Sequence, residues 1–561
     1  MNDNDNVNGG LKDNTLYVIP LGGLEEVGGL NMTVLEYNGD IVVIDAGLMF
    51  PEEDMLGVDF VIPDFTYLLE NREKIRGIVI THGHEDHVGA LPFILKELPV
   101  PVFGTPLTIG LIREKLREHH LEGSEMHAVR PRGRISLGAF DIEFIRVTHS
   151  IVDGVALGIE TPVGRVIHTG DFKVDPTPVD GELLDFKTFA EYGEKGTELL
   201  LSDSTNAEKG GFTFSEKEVR RAFENVFARA KGRIIISTFS SNIHRIQQAI
   251  DVAASYGRKV VLCGRSIVSN AQIALDLGYL KIPRETWLKL ENLKDVPDDQ
   301  AVIITTGSQG EPMSVLTRIA TGEHKQIQIK EGDTVVLSAK MIPGNERSIG
   351  RIINHLFKRG ANVIYEKVSE IHVSGHASKE ELKLLMNLVK PKYFMPVHGE
   401  YRHLCIHAGL AAKQGIPREN IFIMGNGDIL EISPEGALQA GKVDTGRIFI
   451  DGKGDVEEMV LRDRMRIAHD GVVIVLLGVE KLTGGIISGP DVVSRGFIFE
   501  DASPEFVSDV KDFLSETIAG LDKEIIADSA LLQAKIRSSL KKYLRNTLDR
   551  RPLIMPIIME V

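Results

Sequence analysis

Short apolar runs broken by glycine-rich turns fill the N-terminal third of the chain. Runs of this length, bounded by turn-forming residues, predict strands at Leu16–Ile19, Ile41–Ile44, Gly77–Thr81, Phe140–Val147, Arg165–His168 and Glu198–Leu201. Helical periodicity is scarce here and clearest at Ala90–Glu97 and Ile109–Glu118. Many strands with few helices predict stacked sheets with helices on their outer faces.

The rhythm changes near Thr213. Ser215 and Glu218 have the spacing of a capping box ahead of a helix over Val219–Ala230. Strand-like and helix-like segments then alternate: Arg233–Ser237, Asn242–Tyr256, Lys259–Leu262, Ser269–Asp276, Ala301–Thr305, Met313–Ala320, Thr334–Ser338, Glu346–Lys358 and Asn362–Tyr365. This is the pattern of βαβ units, and it predicts a doubly wound parallel sheet inserted as its own domain. From Ile371 histidine-bearing loops return, with a helix at Lys379–Val389 and a strand at Tyr393–Pro396. A Gly/Asp-rich connector follows Ala440. The last segment holds a strand at Val472–Leu477, a helix near Pro504–Leu521 and a basic helix near Ala530–Leu548, and reads as a small α+β domain. The expected organisation is a disordered tail over 1–13, a first domain over 14–211, an insert over 212–370, the first domain resumed over 371–440, a linker over 441–460 and a terminal domain over 461–561.

A chain of 561 residues accommodates three or four domains, at about 150 residues each. No stretch is apolar for long enough to span a membrane; the best candidate, Gly471–Val479, is strand-sized. The polar start lacks the basic and apolar regions of a signal peptide. Cys263 and Cys405 lie far apart, which argues against a disulfide framework or a cysteine zinc site and fits a reducing cytosol. The expected location is cytoplasmic. The net charge of −16, from 64 Lys+Arg against 80 Asp+Glu, counts on its own against a nucleic-acid partner, since phosphate binding leaves a basic footprint. An acidic chain can still carry a local basic channel and a cationic centre, so the charge does not decide the matter.

The densest chemistry is His82-Gly83-His84-Glu85-Asp86-His87, directly after the strand Gly77–Thr81. In extended backbone, His82 and His84 point to one side. Asp86 and His87 fall at the turn into a helix beginning near Val88. Four nitrogen and oxygen donors on one loop suit Zn²⁺ or Mn²⁺. Asp45 ends the strand Ile41–Ile44, where a carboxylate orients a ligand histidine by accepting its second ring N–H.

This loop resembles the signature of the metallo-β-lactamase fold, and the sequence continues in the same order. His149 in Thr148-His149-Ser150 and Asp171 in His168-Thr169-Gly170-Asp171 both end strands. The resemblance implies one metal on His82, His84 and His149, a second on Asp86, His87 and His398, and Asp171 bridging them. Ser202-Asp203-Ser204, His372-Val373-Ser374-Gly375-His376 and Pro396-Val397-His398-Gly399 resemble the β-CASP branch, which acts on nucleic acids. It implies that His376, positioned by Asp203, is the general acid, with Asp86 also at the catalytic centre. Pro20–Gly28, Ser202–Asn206, Thr238–Asn242, Thr306–Pro312 and His398–Arg402 together resemble the ribonuclease J family. No catalytic role is assigned to the first of these motifs.

The implied fold is a metallo-β-lactamase αββα sandwich with an inserted β-CASP doubly wound α/β domain and a small C-terminal α+β domain. The implied activity is hydrolysis of single-stranded RNA, 5′-to-3′ and internally, leaving 5′-phosphates, in mRNA turnover and rRNA maturation. Two divalent ions per subunit, Zn²⁺ or alternatively Mn²⁺, are the expected cofactors. A 5′-phosphate pocket is implied at Ser240, Ser241, His372, Ser374 and Gly375, and Arg347 and Arg351 sit four apart on one helix face that can line an RNA channel. Expected partners are a second copy (homodimer or homotetramer through the terminal domain) and an RNA-degradation complex with another ribonuclease and a helicase. A β-CASP nuclease acting on DNA and a thioesterase- or lactonase-type metallohydrolase are the alternatives.

Overall fold

Apolar runs pair into two sheets that enclose one core. The computed structural model describes residues 12–26, 28–52, 54–309, 311, 313–339, 345–365, 373–452, 454–480, 485–496 and 504–560. Residues 1–11 of the expected tail lie outside them. Lys12, at its end, is tied to Tyr17 and Glu431.

One sheet has eight strands, in the order Gly436–Lys442, Asp428–Ser433, Leu16–Gly22, Met32–Tyr37, Asp40–Ile44, Ile75–Val79, Val102–Gly104 and Met126–Ala128. The other has six, in the order Pro391–Val397, Thr197–Asp203, Gly164–His168, Val155–Thr161, Phe140–Arg146 and Arg134–Leu137. Val18, Leu35, Val42 and Val79 of the first sheet share a buried cluster with Phe144, Leu157, Val166, Leu199 and Met395 of the second. Alternate residues of the second sheet, including Ile145, Ile167, Leu200 and Phe394, face outward and are also buried. The helices Phe186–Lys195, Lys379–Val389 and Tyr401–Lys413 supply Phe189, Leu385 and Leu410 to that cover. Strands covered on both faces read as continuous apolar runs, which is why Leu199-Leu200-Leu201 shows no alternation. Each such side chain contributes about 1.5–3 kcal/mol on burial, enough to set strand pairing where local propensity is weak.

Register brings distant residues to one edge. The strand Thr197–Asp203 pairs in parallel with both Gly164–His168 and Pro391–Val397, with His168 opposite Leu201 and Asp203 opposite Val397. Asp171, Asp203 and His398 therefore emerge at the same end of three neighbouring strands. Asp45 and the His82–His87 loop follow Asp40–Ile44 and Ile75–Val79, which also pair in parallel.

Between Asp203 and Pro391 the chain builds a five-stranded sheet in the order Lys259–Cys263, Ala301–Thr305, Ile234–Ser237, Thr334–Leu337 and Asn362–Ile364. Every pairing in it is parallel. Ile234, Ile236, Val302 and Ile304 pack under the helices Lys217–Arg229, Ile243–Ser255 and Arg265–Asp276 on one face. Ile235, Ile303, Val335 and Leu337 pack under Val315–Thr321 and Glu346–Lys358 on the other. This is the doubly wound insert that the alternation predicted.

The predicted capping box at Ser215 and Glu218 is not formed. Glu216 occupies the N-cap of Lys217–Arg229 without a side-chain cap bond, because its carboxylate is taken by Arg245 at 2.7 Å, with both groups buried. A complete capping box forms instead at Ser378 and Glu381, ahead of Lys379–Val389.

The described residues form two compact units, one running up to Phe50 and from Val61 to Arg447, the other comprising Pro51–Phe60 and the residues from Ile448 onward. The stretch expected as a linker carries the strands Arg447–Asp451 and Gly454–Val456. In the second unit, Val472–Val479 lies between Ile486–Arg495 (antiparallel) and Leu553–Glu560 (parallel). The helix Ser529–Leu548 buries Leu532, Ile536, Leu540 and Leu544, a four-residue repeat along one helix face, against Val473, Val475 and Leu477.

Candidate metal centre

The site lies where strands from both sheets end. After Ile75–Val79, His84 is the N-cap of a one-turn helix, Glu85–Val88, so Asp86 and His87 sit inside its turn rather than ahead of a helix starting at Val88. The turn after Asp40–Ile44 passes so close that a Cβ on Gly47 would lie 1.7 Å from the Asp86 carbonyl oxygen. Asp45 and His398 both adopt left-handed backbone, with φ of 62° and 55°. Such conformations are uncommon outside glycine and cluster where surroundings over-determine them.

Four of the histidine rings are gripped from outside. His87 Nδ1 bonds Asp45 Oδ2 at 2.8 Å, as the position of Asp45 in the sequence predicts. His149 Nδ1 donates to the Gly375 carbonyl at 2.7 Å, His398 Nδ1 to Asn31 Oδ1 at 2.9 Å, and His82 Nδ1 meets Thr81 Oγ1 at 3.1 Å. The opposite nitrogens converge. Nε2 of His82, His87, His149 and His398 lies 3.6, 3.3, 3.8 and 3.4 Å from Asp171 Oδ2. His84 faces inward through Nδ1, 3.0 Å from His82 Nε2 and 3.2 Å from His149 Nε2.

Two donor groups result, His82/His84/His149/Asp171 and Asp86/His87/Asp171/His398, each with its donor atoms within 4.8 Å of one another. A third grouping joins Asp171, Asp203, His376 and His398. There, however, Asp203 Oδ2 accepts from His376 Nδ1 at 2.9 Å and Asp203 Oδ1 accepts from Thr205. Those bonds make Asp203 and His376 an oriented pair rather than open donors.

Electrostatics separates the rings into two kinds. Burial, reinforced for His82 by His87, pushes the pKa of His82 and His149 well below the ordinary value, and burial brings His84 to about 4. These are neutral imidazoles, the form that ligates metal. Burial also opposes charge on His87 and His398, but carboxylates outweigh it. Asp171, Asp86 and Asp45 raise His87 well above its ordinary value, and Asp171 lifts His398 to about 9. Asp171, itself disfavoured by burial, is held well below the usual carboxylate range by His398 and His87. The protons on His87 and His398 stand where a cation would neutralise the same carboxylates, and metal binding at such a site releases them.

The residues fit divalent cations on a further count. Asp171 Oδ1 is buried with no hydrogen-bond partner among the described residues. A carboxylate oxygen left this way is costly unless something positive meets it. Nitrogen and carboxylate donors with no cysteine suit Zn²⁺ or Mn²⁺.

The remaining candidates are dispersed around this cluster. Ser374 Oγ accepts from Asn206 Nδ2 at 2.8 Å. Gly375 lies against His149, where a Cβ would come within 2.5 Å of the ring. Ser240 and Ser241 sit half-buried before Ile243–Ser255, whose cap is Asn242. Arg347 and Arg351 are exposed on Glu346–Lys358, and His372 lies outside the described residues. Sequence reasoning missed Asn31 and Glu381. Glu381, fully buried, accepts from the backbone N–H groups of Val174, Thr213 and Ser378 at 2.7, 2.8 and 2.7 Å. Thr213 Oγ1 in turn donates to the His376 carbonyl. A box-spaced Ser378 and Glu381 was the available signal.

Residues 26–209 match the metallo-beta-lactamase superfamily, 231–356 the ribonuclease J beta-CASP domain, 360–424 the Zn-dependent metallo-hydrolase RNA specificity domain, and 459–561 the ribonuclease J C-terminal domain. The chain is 44% identical over 543 residues to a protein named Ribonuclease J from Helicobacter pylori, spanning 96% of this chain and 78% of that protein. It is 43% identical over 552 residues to Ribonuclease J 1 of Streptococcus pyogenes, spanning 98% of each. To Ribonuclease J2 of Bacillus subtilis it is 40% identical, over 97% of this chain and 98% of that one. A solved structure from Enterococcus faecalis V583, described as a protein of unknown function, shares the fold with a TM-score of 0.54 and 16% identity, over 74% of this chain and 99% of that one.

Proposed function

The chain belongs to the ribonuclease J family, and from that membership we propose that its histidine–aspartate cluster hydrolyses phosphodiester bonds of single-stranded RNA with two divalent cations. It is a metal-dependent ribonuclease of the β-CASP kind. The observation that carries the site assignment is the convergence of four Nε2 atoms on Asp171 Oδ2, with the His376–Asp203 pair beside it.

His82, His84 and His149 would hold one cation and Asp86, His87 and His398 the other, with Asp171 common to both donor groups. When bound, such a pair supplies a nucleophile at neutral pH and neutralises charge on the phosphoryl oxygens. Zn²⁺ is the proposed metal, with Mn²⁺ the alternative. Asp203 fixes Nδ1 of His376 and leaves Nε2 to protonate the departing 3′ oxygen, so the downstream fragment keeps a 5′-phosphate. Ser240, Ser241, Ser374 and Gly375, with His372, form the pocket for a 5′-monophosphate. The reaction runs 5′-to-3′ and also internally, in mRNA turnover and rRNA maturation.

The proposed setting is the cytoplasm, where the free thiols of Cys263 and Cys405 stay reduced. The working assembly is a homodimer or homotetramer, in a complex with another ribonuclease and a helicase.

End-labelled 5′-monophosphate RNA and DNA of the same sequence, each with Zn²⁺ or Mn²⁺, test the reading. RNA is cut to 5′-phosphate products and DNA is spared. Asp86→Ala and His87→Ala abolish cleavage without unfolding the chain. Wild-type rates in either variant would defeat the assignment.

A further inference from the structure

The turn between the motif Pro20–Gly28 and the second strand delivers a side chain to the centre. We infer that Asn31 is a positioning residue: its carboxamide aims His398, and its side chain and peptide lock the Asp86–His87 turn and the turn at Gly47 into one frame. The inference rests on the reading that His87, His398 and Asp86 hold a cation.

Four hydrogen bonds define the frame, and Asn31 Nδ2 also lies 3.3 Å from His87 Nε2. Asn31 Oδ1 accepts from His398 Nδ1 at 2.9 Å, which leaves Nε2 of that ring as the nitrogen facing Asp171. Asn31 Nδ2 donates to the Asp86 carbonyl at 3.0 Å, and the Asn31 peptide N–H donates to the same oxygen at 3.2 Å. The Gly47 N–H donates to the Asn31 carbonyl at 2.9 Å. The network fixes the amide orientation. Reversed, the amide would put a donor against the donating Nδ1 of His398 and an acceptor against the Asp86 carbonyl.

Neighbouring residues are shaped around this side chain. A Cβ on Gly23, whose φ is +87°, would lie 2.5 Å from Asn31 Oδ1. A Cβ on Gly47 would lie 2.8 Å from the Asn31 nitrogen. Only a carboxamide both accepts from an imidazole and donates to a carbonyl at these positions. Leucine keeps the volume and makes neither bond. Asn31 thus does for His398 what Asp45 does for His87, with a neutral oxygen in place of a carboxylate. Such partners of ligand histidines typically govern about 10–100-fold in metal affinity.

The test is zinc binding to the full-length chain, without RNA, in competition with a chromogenic chelator. Wild type takes two ions. Asn31→Leu holds one at wild-type affinity and the other about 10–100-fold more weakly. Asn31→Leu binding both ions as wild type does would overturn the inference. Wild type binding no zinc would instead remove the two-cation reading beneath it. Nitrogen-15 spectra of histidine-labelled, zinc-loaded wild type decide the matter without any variant. His398 carries its proton on Nδ1 and the metal on Nε2, and the reverse attachment would exclude the role given to Asn31.

Discussion

His376 meets Asp203 through Nδ1 at 2.9 Å, and the consequences of that contact can be measured. Burial disfavours charge on His376, but Asp203 and then Asp171 raise its pKa above the ordinary value, which favours the protonated ring that a general acid needs. His376→Ala should keep RNA affinity and lower the single-turnover rate by about 10²–10⁴-fold; an unchanged rate across pH would remove the acid role. Asp203→Asn removes the charge that most raises the His376 pKa. The proton is then lost at lower pH, and the falling limb of the rate profile moves toward acid. The clustered histidines and carboxylates were legible in sequence because they crowd one hexapeptide or stand directly after apolar strands. Asn31 was not, since its importance lies in bonds to Asp86, 55 positions away, and to His398, 367 away, which no local pattern encodes.

Among elements, the capping boxes show what local spacing can and cannot foretell. Ser215 and Glu218 have the right spacing, but the buried Arg245–Glu216 pair claims the cap position between them. At Ser378 the same spacing succeeds because Glu381 also serves Val174 and Thr213, so long-range bonds reinforce the local one. Glu381→Ala leaves three backbone N–H groups without their acceptor and should cost about 2–4 kcal/mol in chemical denaturation. It should also slow cleavage, because Thr213 steadies the peptide of His376. A loss below about 1 kcal/mol would mean water or neighbours replace the carboxylate. The insert's strand and helix alternation was read nearly intact, since its central strands are short apolar blocks buried on both faces.

At the scale of the whole molecule, the charge of −16 misleads about partners, since it averages over a surface that RNA meets only locally. The C-terminal unit buries one face of its sheet under helices, while Met555, Ile557 and Met559 on the other remain 44%, 41% and 48% exposed. Contiguous apolar surface of this kind marks association. Sedimentation velocity should find wild type as dimer or tetramer and a Met555→Lys, Ile557→Lys double variant shifted toward monomer. Monomeric wild type at micromolar concentration would contradict the proposed assembly. Sequence reading anticipated the terminal domain, but not that Pro51–Phe60 clusters with it, because membership by contact leaves no trace in periodicity.

Two cations gripped by scattered imidazoles and carboxylates around Asp171 are what the proposed activity requires. Anomalous diffraction from crystals of the wild-type chain soaked in zinc, and separately in manganese, reads this directly. The account requires two peaks, one bonded to His82, His84 and His149 and the other to Asp86, His87 and His398, with Asp171 touching both. A map with no anomalous peak among those side chains would refute it.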